Sequence, residues 1–560
     1  MHGYVARAMV SPTVTSTMLL VVVLATGMGT QNALAPDLGP GGTFFDDDGS
    51  THEGYIEALA ALEVLRGCNP PLSDLTCPVD PITRGQMAAL LRRSLKLPPA
   101  SGDSFADDDG STFEEDINRV AAAGITRGCD AADASRFCPN ELVTRGQMAA
   151  FINRGFELEP GSKDRFSDDD SSPFERDIDR VASAGITEGC DPDYPRLFCP
   201  LAWVTRGQMA SFLGRALGLD AIRPPERPAF TLAVTGDILI HSPLVDRAAA
   251  YGDTSGQSYD FRPMFERIAP IISAADLALC HLEVPLSADN QDLSGYPLFN
   301  APREVAQAIA YAGYEGCSTA SNHSIDQGVG GAAETLDVLD AAGVGHAGTA
   351  RNSEEAANPR LYQVGDVTVG HLSYTYWLNG LSPPSGQEWV ANVIDQSAIL
   401  AEASRARAEG ADLVVVSLHW GVEYQSDPTS AQVALAQGLL GSGTIDLIVG
   451  HHAHVVQPIG RVGERHVVYG LGNLVSNQCC LETQDGVIIE LEMAKRAEGW
   501  WDARHTAFYP TRVERSGYVV LPITATLESG SYDWLRTELG ASRDRTAATI
   551  RRLGVEAELR

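Results

Sequence analysis

Positive charge is scarce in this sequence. Its 560 residues hold 41 lysines and arginines against 73 aspartates and glutamates, a formal charge of −32 at pH 7 with a pI near 4.7. A protein that grips nucleic acid through a basic field is thereby excluded. Apolar runs long enough to span a membrane are missing after residue 35. What is present, 44% hydrophobic and 20% charged residues, excludes a disordered chain and predicts more than one compact domain.

Residues 1–35 stand apart. Arg7 is their only charge, an apolar run follows from Met18 to Leu24, and small residues close the segment at Ala33-Leu34-Ala35. This is the outline of a secretory signal peptide, which predicts a secreted mature chain with no transmembrane span. Cysteine usage agrees with export. Six of the ten cysteines form three C-x8-C pairs: Cys68 with Cys77, Cys129 with Cys138, and Cys190 with Cys199. In an oxidising compartment each pair closes a loop of about ten residues, worth roughly 2–3 kcal/mol. One pair per unit, without a nearby histidine, argues against a metal site. Cys280, Cys317, Cys479 and Cys480 fall outside this pattern.

The pairs belong to a tandem repeat. Phe44, Phe105 and Phe166 each open an F-x-D-D-D element, 61 residues apart like the cysteines. Each unit reads as two helices around a loop. Ile117, Val120 and Ala121 share one helical face, with Asp109 and Ser111 where an N-terminal cap is expected. Thr144 is expected to cap the second helix and to place Met148, Phe151 and Ile152 on its apolar face. The D-D-D-G-S run lacks the alternating ligands and later glutamate of an EF-hand loop, so the aspartates read as solvated caps.

Together the F-x-D starts, the G-I-x-x-G turns and the pairs Thr83-Arg84, Thr144-Arg145 and Thr205-Arg206 resemble three S-layer homology repeats, at 43–98, 104–158 and 165–219. The resemblance implies an all-α, trimer-like unit that binds a cell-wall polysaccharide and attaches the protein to the cell surface. Gln86, Gln147 and Gln208 replace the glutamate usual after the arginine. On this reading Arg84, Arg145 and Arg206 meet anionic groups of the glycan. The alternative pairs them with the Asp-rich turns.

A proline-rich linker at 220–228 leads to apolar β-branched runs that alternate with alanine-rich helical stretches, the pattern of an α/β domain over 229–525. Residues 526–560 read as a helical surface tail. Eleven of thirteen histidines follow the linker. Successive apolar runs end in residues able to hold a metal: Asp237, Glu283, Asn322 with His323, His419, His452 with His454, and Asn473. In such sheets ligands collect at the carboxyl ends of strands. Mixed oxygen and imidazole donors suit one or two divalent ions, manganese, iron or zinc.

The ordered motifs GDILIH, HLEVPL, SNHSIDQG, LHWGVEY, GHHAHVVQP and GLGNLV are similar to those of the CapA family of poly-γ-glutamate capsule proteins. The resemblance implies a calcineurin-like metallophosphatase fold, a β-sandwich flanked by helices. It makes Asp237, Glu283, Asn322, His419, His452 and His454 metal ligands and His323 the catalytic group beside the scissile phosphate. Glu423, His451 and Asn473 support the ligands or touch substrate. Ala453 stands where the family often has proline in H-P-H. His241, His281, His346, His371, His466 and His505 read as structural, and Trp420 and Tyr424 as packing or pocket wall. The expected function is metal-dependent hydrolysis of phosphoester type on an anionic capsule or envelope polymer. The alternatives are a non-catalytic polyanion-binding assembly or export factor, and a structural S-layer component.

Overall fold

Threonine before arginine starts the second helix of each repeat. Thr83, Thr144 and Thr205 hold extended backbone, and each hydroxyl accepts from the amide of Gln86, Gln147 or Gln208, whose own side chain accepts from the threonine amide. This is a capping box. Glutamine completes it without adding to the negative charge. The computed structural model describes residues 38–560 apart from 131, 162, 163, 479 and 480. The expected signal peptide, Cys479 and Cys480 lie outside the described residues.

The repeats contribute six helices: α1 (Glu53–Ala61), α2 (Arg84–Leu95), α3 (Glu114–Ala122), α4 (Arg145–Phe156), α5 (Glu175–Ser183) and α6 (Arg206–Ala216). Helix α2 packs on α3, α4 on α5, and α6 closes the ring on α1. One core fills the centre, with Phe44, Phe105 and Phe166 beside Met87, Met148 and Met209. Ile117 and Val120 are buried as expected, and the three C-x8-C pairs are disulfides. Helix α3 starts later than its expected caps. Its N-cap is Phe113, whose amide donates to Ser111 Oγ at 3.2 Å.

The three arginines of the Thr-Arg pairs face inward, not outward. Arg84 Nε donates to Phe137 O at 2.8 Å and its Nη2 to Gly128 O at 3.1 Å. Arg145 makes the same bonds to Phe198 O and Gly189 O, and Arg206 returns to the first repeat at Thr76 O and Arg66 O. All three are buried. A buried guanidinium needs acceptors, and these loop carbonyls provide them. The Asp-rich turns are not their partners in these bonds. Instead Asp46, Asp107 and Asp168 accept from the amides beside the second cysteine of each pair. The expectation of solvated aspartates also fails for the middle residue of each run, since Asp47, Asp108 and Asp169 are 0% exposed.

Among the described residues beyond the linker are seventeen strands: β1 (Ala229–Ile238), β2 (Leu277–Leu282), β3 (Leu286–Ser287), β4 (Ala301–Pro302), β5 (Gly316–Ser318), β6 (Gly345–Ala347), β7 (Arg360–Val364), β8 (Val367–Thr375), β9 (Leu413–His419), β10 (Leu447–His451), β11 (Ile459–Val462), β12 (Arg465–Val468), β13 (Asn473–Val475), β14 (Asp485–Lys495), β15 (Trp501–Glu514), β16 (Val519–Pro522) and β17 (Glu558–Leu559). One sheet runs β16-β15-β14-β1-β2-β5-β6, with β13 beside β1 and β17 beside β15, and the second runs β11-β12-β10-β9-β8-β7. They face each other through Leu232, Val234 and Leu279 on one side and Val369, Val415 and Val449 on the other. Helices 242–255, 304–312 and 328–341 cover the outside of the first sheet, and 396–408 and 430–440 the outside of the second. This is a β-sandwich flanked by helices, in which Cys280 and Cys317 join adjacent strands by a disulfide.

Two boundaries differ from expectation. The tail is no surface helix alone: helix 536–550 buries Leu539 and Ile550, and β17 adds a parallel strand to β15. The linker is pinned rather than free. Arg227 is buried and binds Asp48 at 2.7 Å together with the carbonyls of Gly41, Phe44 and Lys495. Arg504 reaches the same Asp48, and Arg496 joins Asp74 to Asp502. Residues 38–560 form one compact unit.

Candidate metal centre

The parallel strands β1, β2 and β5 of one sheet and β9 and β10 of the other bring their carboxyl ends together. Asp237 lies in the last turn of β1, Glu283 directly follows β2, and Asn322 and His323 lie in the loop after β5. His419 and His451 end β9 and β10, and Asn473 begins β13. Backbone detail fixes these positions. A Cβ on Gly236 would stand 2.0 Å from Gly472 O, so only glycine lets that carbonyl accept the Asp237 amide at 2.9 Å. His452 and His454 hold left-handed backbone, φ +86° and +56°, at a cost of order 1–3 kcal/mol each. The His454 imidazole lies against Asp237 and Glu283, and that of His452 beside His454 and Glu423.

Every side chain assigned as a ligand is brought into this region and buried. Asp237 Oδ2 accepts from the His452 amide at 3.2 Å and lies 3.3 Å from His454 Nδ1, while Oδ1 is 3.2 Å from His451 Nδ1. Glu283 Oε1 is 3.8 Å from His454 Nε2 and 4.0 Å from His419 Nε2. His419 Nε2 meets Asn322 Oδ1 at 3.0 Å. Asn473 Oδ1 takes His454 Nδ1 at 3.0 Å, leaving Nε2 turned to Glu283.

Several of these atoms lack protein partners. Asp237 Oδ1, both oxygens of Glu283, and the Nδ1 atoms of His451 and His452 are buried without a hydrogen bond. Such groups are costly unless paired or coordinating. Two clusters of candidate donors lie here, Asp237 with His281 and Glu283, and Glu423 with His452 and His454, each with ligand atoms within 4.8 Å of one another. The residues therefore fit a divalent ion. Burial lowers His452 to about 3 and, with neighbouring imidazoles, holds His281 and His419 well below the usual range. These three stay neutral, as an imidazole ligand must. Burial lifts Glu283 to about 7. It also depresses His454, but Glu283 and Asp237 more than reverse this and take it to about 9. Asp237 is held well below the carboxylate range, because the adjacent His451 and His454 outweigh its burial.

His323 is built differently. Its Nδ1 meets Asp326 Oδ2 at 2.7 Å, Phe299 packs edge-on at 4.7 Å, and Asn379 Nδ2 lies 3.4 Å from the ring. Asn379 also accepts from Asn322 Nδ2 at 3.2 Å, tying this histidine to the ligand beside it. A fixed imidazole next to a cation pocket is suited to hold or deliver a proton.

Residues 231–478 match the family described as bacterial capsule synthesis protein PGA_cap. That stretch is similar to the family and makes up less than half of the chain. Every donor from Asp237 to Asn473 lies within it. The capsule biosynthesis protein CapA of Bacillus anthracis is 26% identical over 314 residues, covering 55% of this chain and 74% of that protein. The PGA biosynthesis protein CapA of Bacillus subtilis is 28% identical over 246 residues, 42% of this chain and 62% of the relative. Among solved structures, the calcineurin-like phosphoesterase YfkN from Bacillus subtilis aligns with 56% of this chain and 100% of its own, at 15% identity and a TM-score of 0.31.

The site also contains residues that sequence reasoning set aside. His281, expected to be structural, bridges Ser318 Oγ at 2.7 Å and His419 Nδ1 at 2.9 Å and stacks on His451 at 4.2 Å. The signal was present: His281 is two residues from Glu283, and strand alternation puts both on one face. Asn379 and Asp326 carried no such signal. Tyr376, 4.6 Å from His452, and Tyr424, 6.2 Å from His454, form pocket wall, while Trp420 is packed inside with its indole on Tyr469 O. His371 on Ser417 and His466 on Asp502 are hydrogen-bonded away from the pocket.

Proposed function

We propose that this protein acts in the biosynthesis of a capsule or envelope polymer of the poly-γ-glutamate type, as a metal-dependent hydrolase of phosphoester chemistry, exported and attached to the cell wall. The observation that carries the hydrolase reading is the convergence of Asp237, His281, Glu283, Glu423, His452 and His454, with buried donor atoms that no protein group satisfies, beside a histidine fixed by Asp326. The two CapA relatives are named for capsule and PGA biosynthesis, which supports the polymer.

Bound divalent ions, manganese, iron or zinc, would supply Lewis acidity toward a phosphoryl oxygen and lower the pKa of water. The chain's own residues do the rest. Asp326 accepts from His323 Nδ1–H and stabilises the doubly protonated ring, whose Nε2–H is then the proton given to the leaving oxygen. Asn379 aligns His323 with Asn322, and Tyr376 and Tyr424 bound the space a substrate enters. Wall attachment falls to the repeats. A groove of about 230 Å³ where the repeats meet is lined by Arg127, Gln147 and Arg154 of the second repeat and Phe174 of the third, and it supports a site for an anionic wall polysaccharide.

The test is metal content together with turnover of phosphodiester substrates and of poly-γ-glutamate. His323→Ala and His452→Ala are each expected to abolish turnover while retaining the fold. A folded, metal-loaded protein that turns over neither substrate class would instead identify a polyanion-binding assembly or export factor.

A further inference from the structure

The acidic turns of the repeats remain unexplained. In each D-D-D run the first aspartate has backbone donors, but the second has none. Asp47, Asp108 and Asp169 are 0% exposed, and neither carboxylate oxygen of any of them has a hydrogen-bond partner. Carboxylates crowd them. Asp47 faces Glu57, Asp48 and Glu53, Asp108 faces Asp103 and Glu114, and Asp169 faces Asp164 and Asp179. Burial and these like charges push Asp47 to about 9 and the other two to about 6.

Protonation alone does not satisfy such a group. A neutral carboxyl still has a hydrogen to donate and an oxygen to fill, and both atoms of each residue lack a partner. The middle aspartate is nonetheless the same in all three copies, whereas a neighbouring position changes from Glu57 to Asn118 to Asp179. In the third repeat, oxygens of Asp164, Asp169 and Asp170 lie within 4.8 Å of one another. An all-oxygen, multiply anionic pocket suits a hard cation, unlike the imidazole-rich centre of the other domain.

We propose that the acidic turns of the repeats bind calcium, with Asp164, Asp169 and Asp170 forming the fullest donor set and Asp47 and Asp108 marking the same site in the first two repeats. The ion would neutralise buried charge at the base of each repeat.

The experiment titrates calcium chloride into the calcium-depleted full chain by calorimetry and follows thermal unfolding with and without the ion. Wild type is expected to bind with a Kd of about 10⁻⁴–10⁻³ M, the range of extracellular modules, and to melt at higher temperature with calcium. Asp169→Asn, equal in shape, should lose about one equivalent. The triple variant Asp47→Asn, Asp108→Asn, Asp169→Asn should lose the remaining repeat-borne calcium and melt independently of it. Equal stoichiometry in wild type and Asp169→Asn, or a wild-type melting point indifferent to calcium, overturns the proposal. Far-UV circular dichroism establishes that each variant is folded. If the triple variant is not, the single one decides.

Discussion

In the repeats, the buried guanidinium groups of Arg84, Arg145 and Arg206 each find two carbonyls of the next repeat, whereas at the strand ends neither oxygen of Glu283 has a hydrogen bond and Asp237 Oδ1 has only the His451 ring nearby. Both regions bury charge in places where water cannot screen it. The first neutralises it with the protein's own dipoles, so the charged residue closes the fold. The second leaves it open, an arrangement that suits a ligand of opposite sign. A charged residue in a repeated motif is therefore a binding residue only when its polar atoms are unclaimed.

The comparison can be broken at either end. The largest effect is expected at the open site: His323→Ala should keep its metal, measured by elemental analysis, and lose turnover by about 10²–10⁴-fold. Asp237→Asn, by contrast, should lose metal as well as turnover, because its carboxylate lies against both His451 and His454. Retained metal in Asp237→Asn would place the cation elsewhere.

At the closed site, Arg145→Ala strands two buried carbonyls and should cost about 2–4 kcal/mol in urea unfolding. If it instead left stability unchanged and weakened wall sedimentation, the arginine would belong to the glycan. Arg127→Ala, exposed at the mouth of the groove, is the complementary variant: wall binding should fall with stability within about 0.5 kcal/mol.

A smaller effect tests the junction between the regions. Contacts with His466, Arg461 and Arg496 outweigh burial and hold Asp502 below its ordinary value of 3.8. A depressed carboxyl stabilises above its unfolded pKa and loses that contribution as pH falls through the folded value. Asp502→Asn should therefore be less stable than wild type by about 1–3 kcal/mol near neutrality, and the gap should close below about pH 4. A gap constant with pH would show that the carboxylate charge contributes nothing. Smallest of all, Thr144→Ala should cost about 1 kcal/mol through its lost cap, read from the thermal midpoint.

Much of the sandwich was legible because parallel strands buried on both faces read as apolar runs, and a polar residue at the end of such a run marks where it meets the pocket. Asp237, Glu283, His419, His452 and His454 were found this way. His281 was not, since it sits inside its run, and Asn379 was hidden in a loop whose position only the folded chain determines. The repeats were legible as helices, by period and cap. The direction of Arg84, Arg145 and Arg206 was not, because a Thr-Arg pair at a helix start has the same spacing whether its guanidinium faces a glycan or a neighbouring carbonyl. The strand Glu558–Leu559 is too short to announce itself and exists because β15 offers it an edge.

Arg227 gives the junction its mechanical meaning. A slack proline tether would let the sandwich sweep a wide volume around the repeats. With that side chain locked into Asp48 and three carbonyls, repeats and pocket travel as one piece. The reach of the pocket is set when the protein folds, and whatever enters it has to come to it.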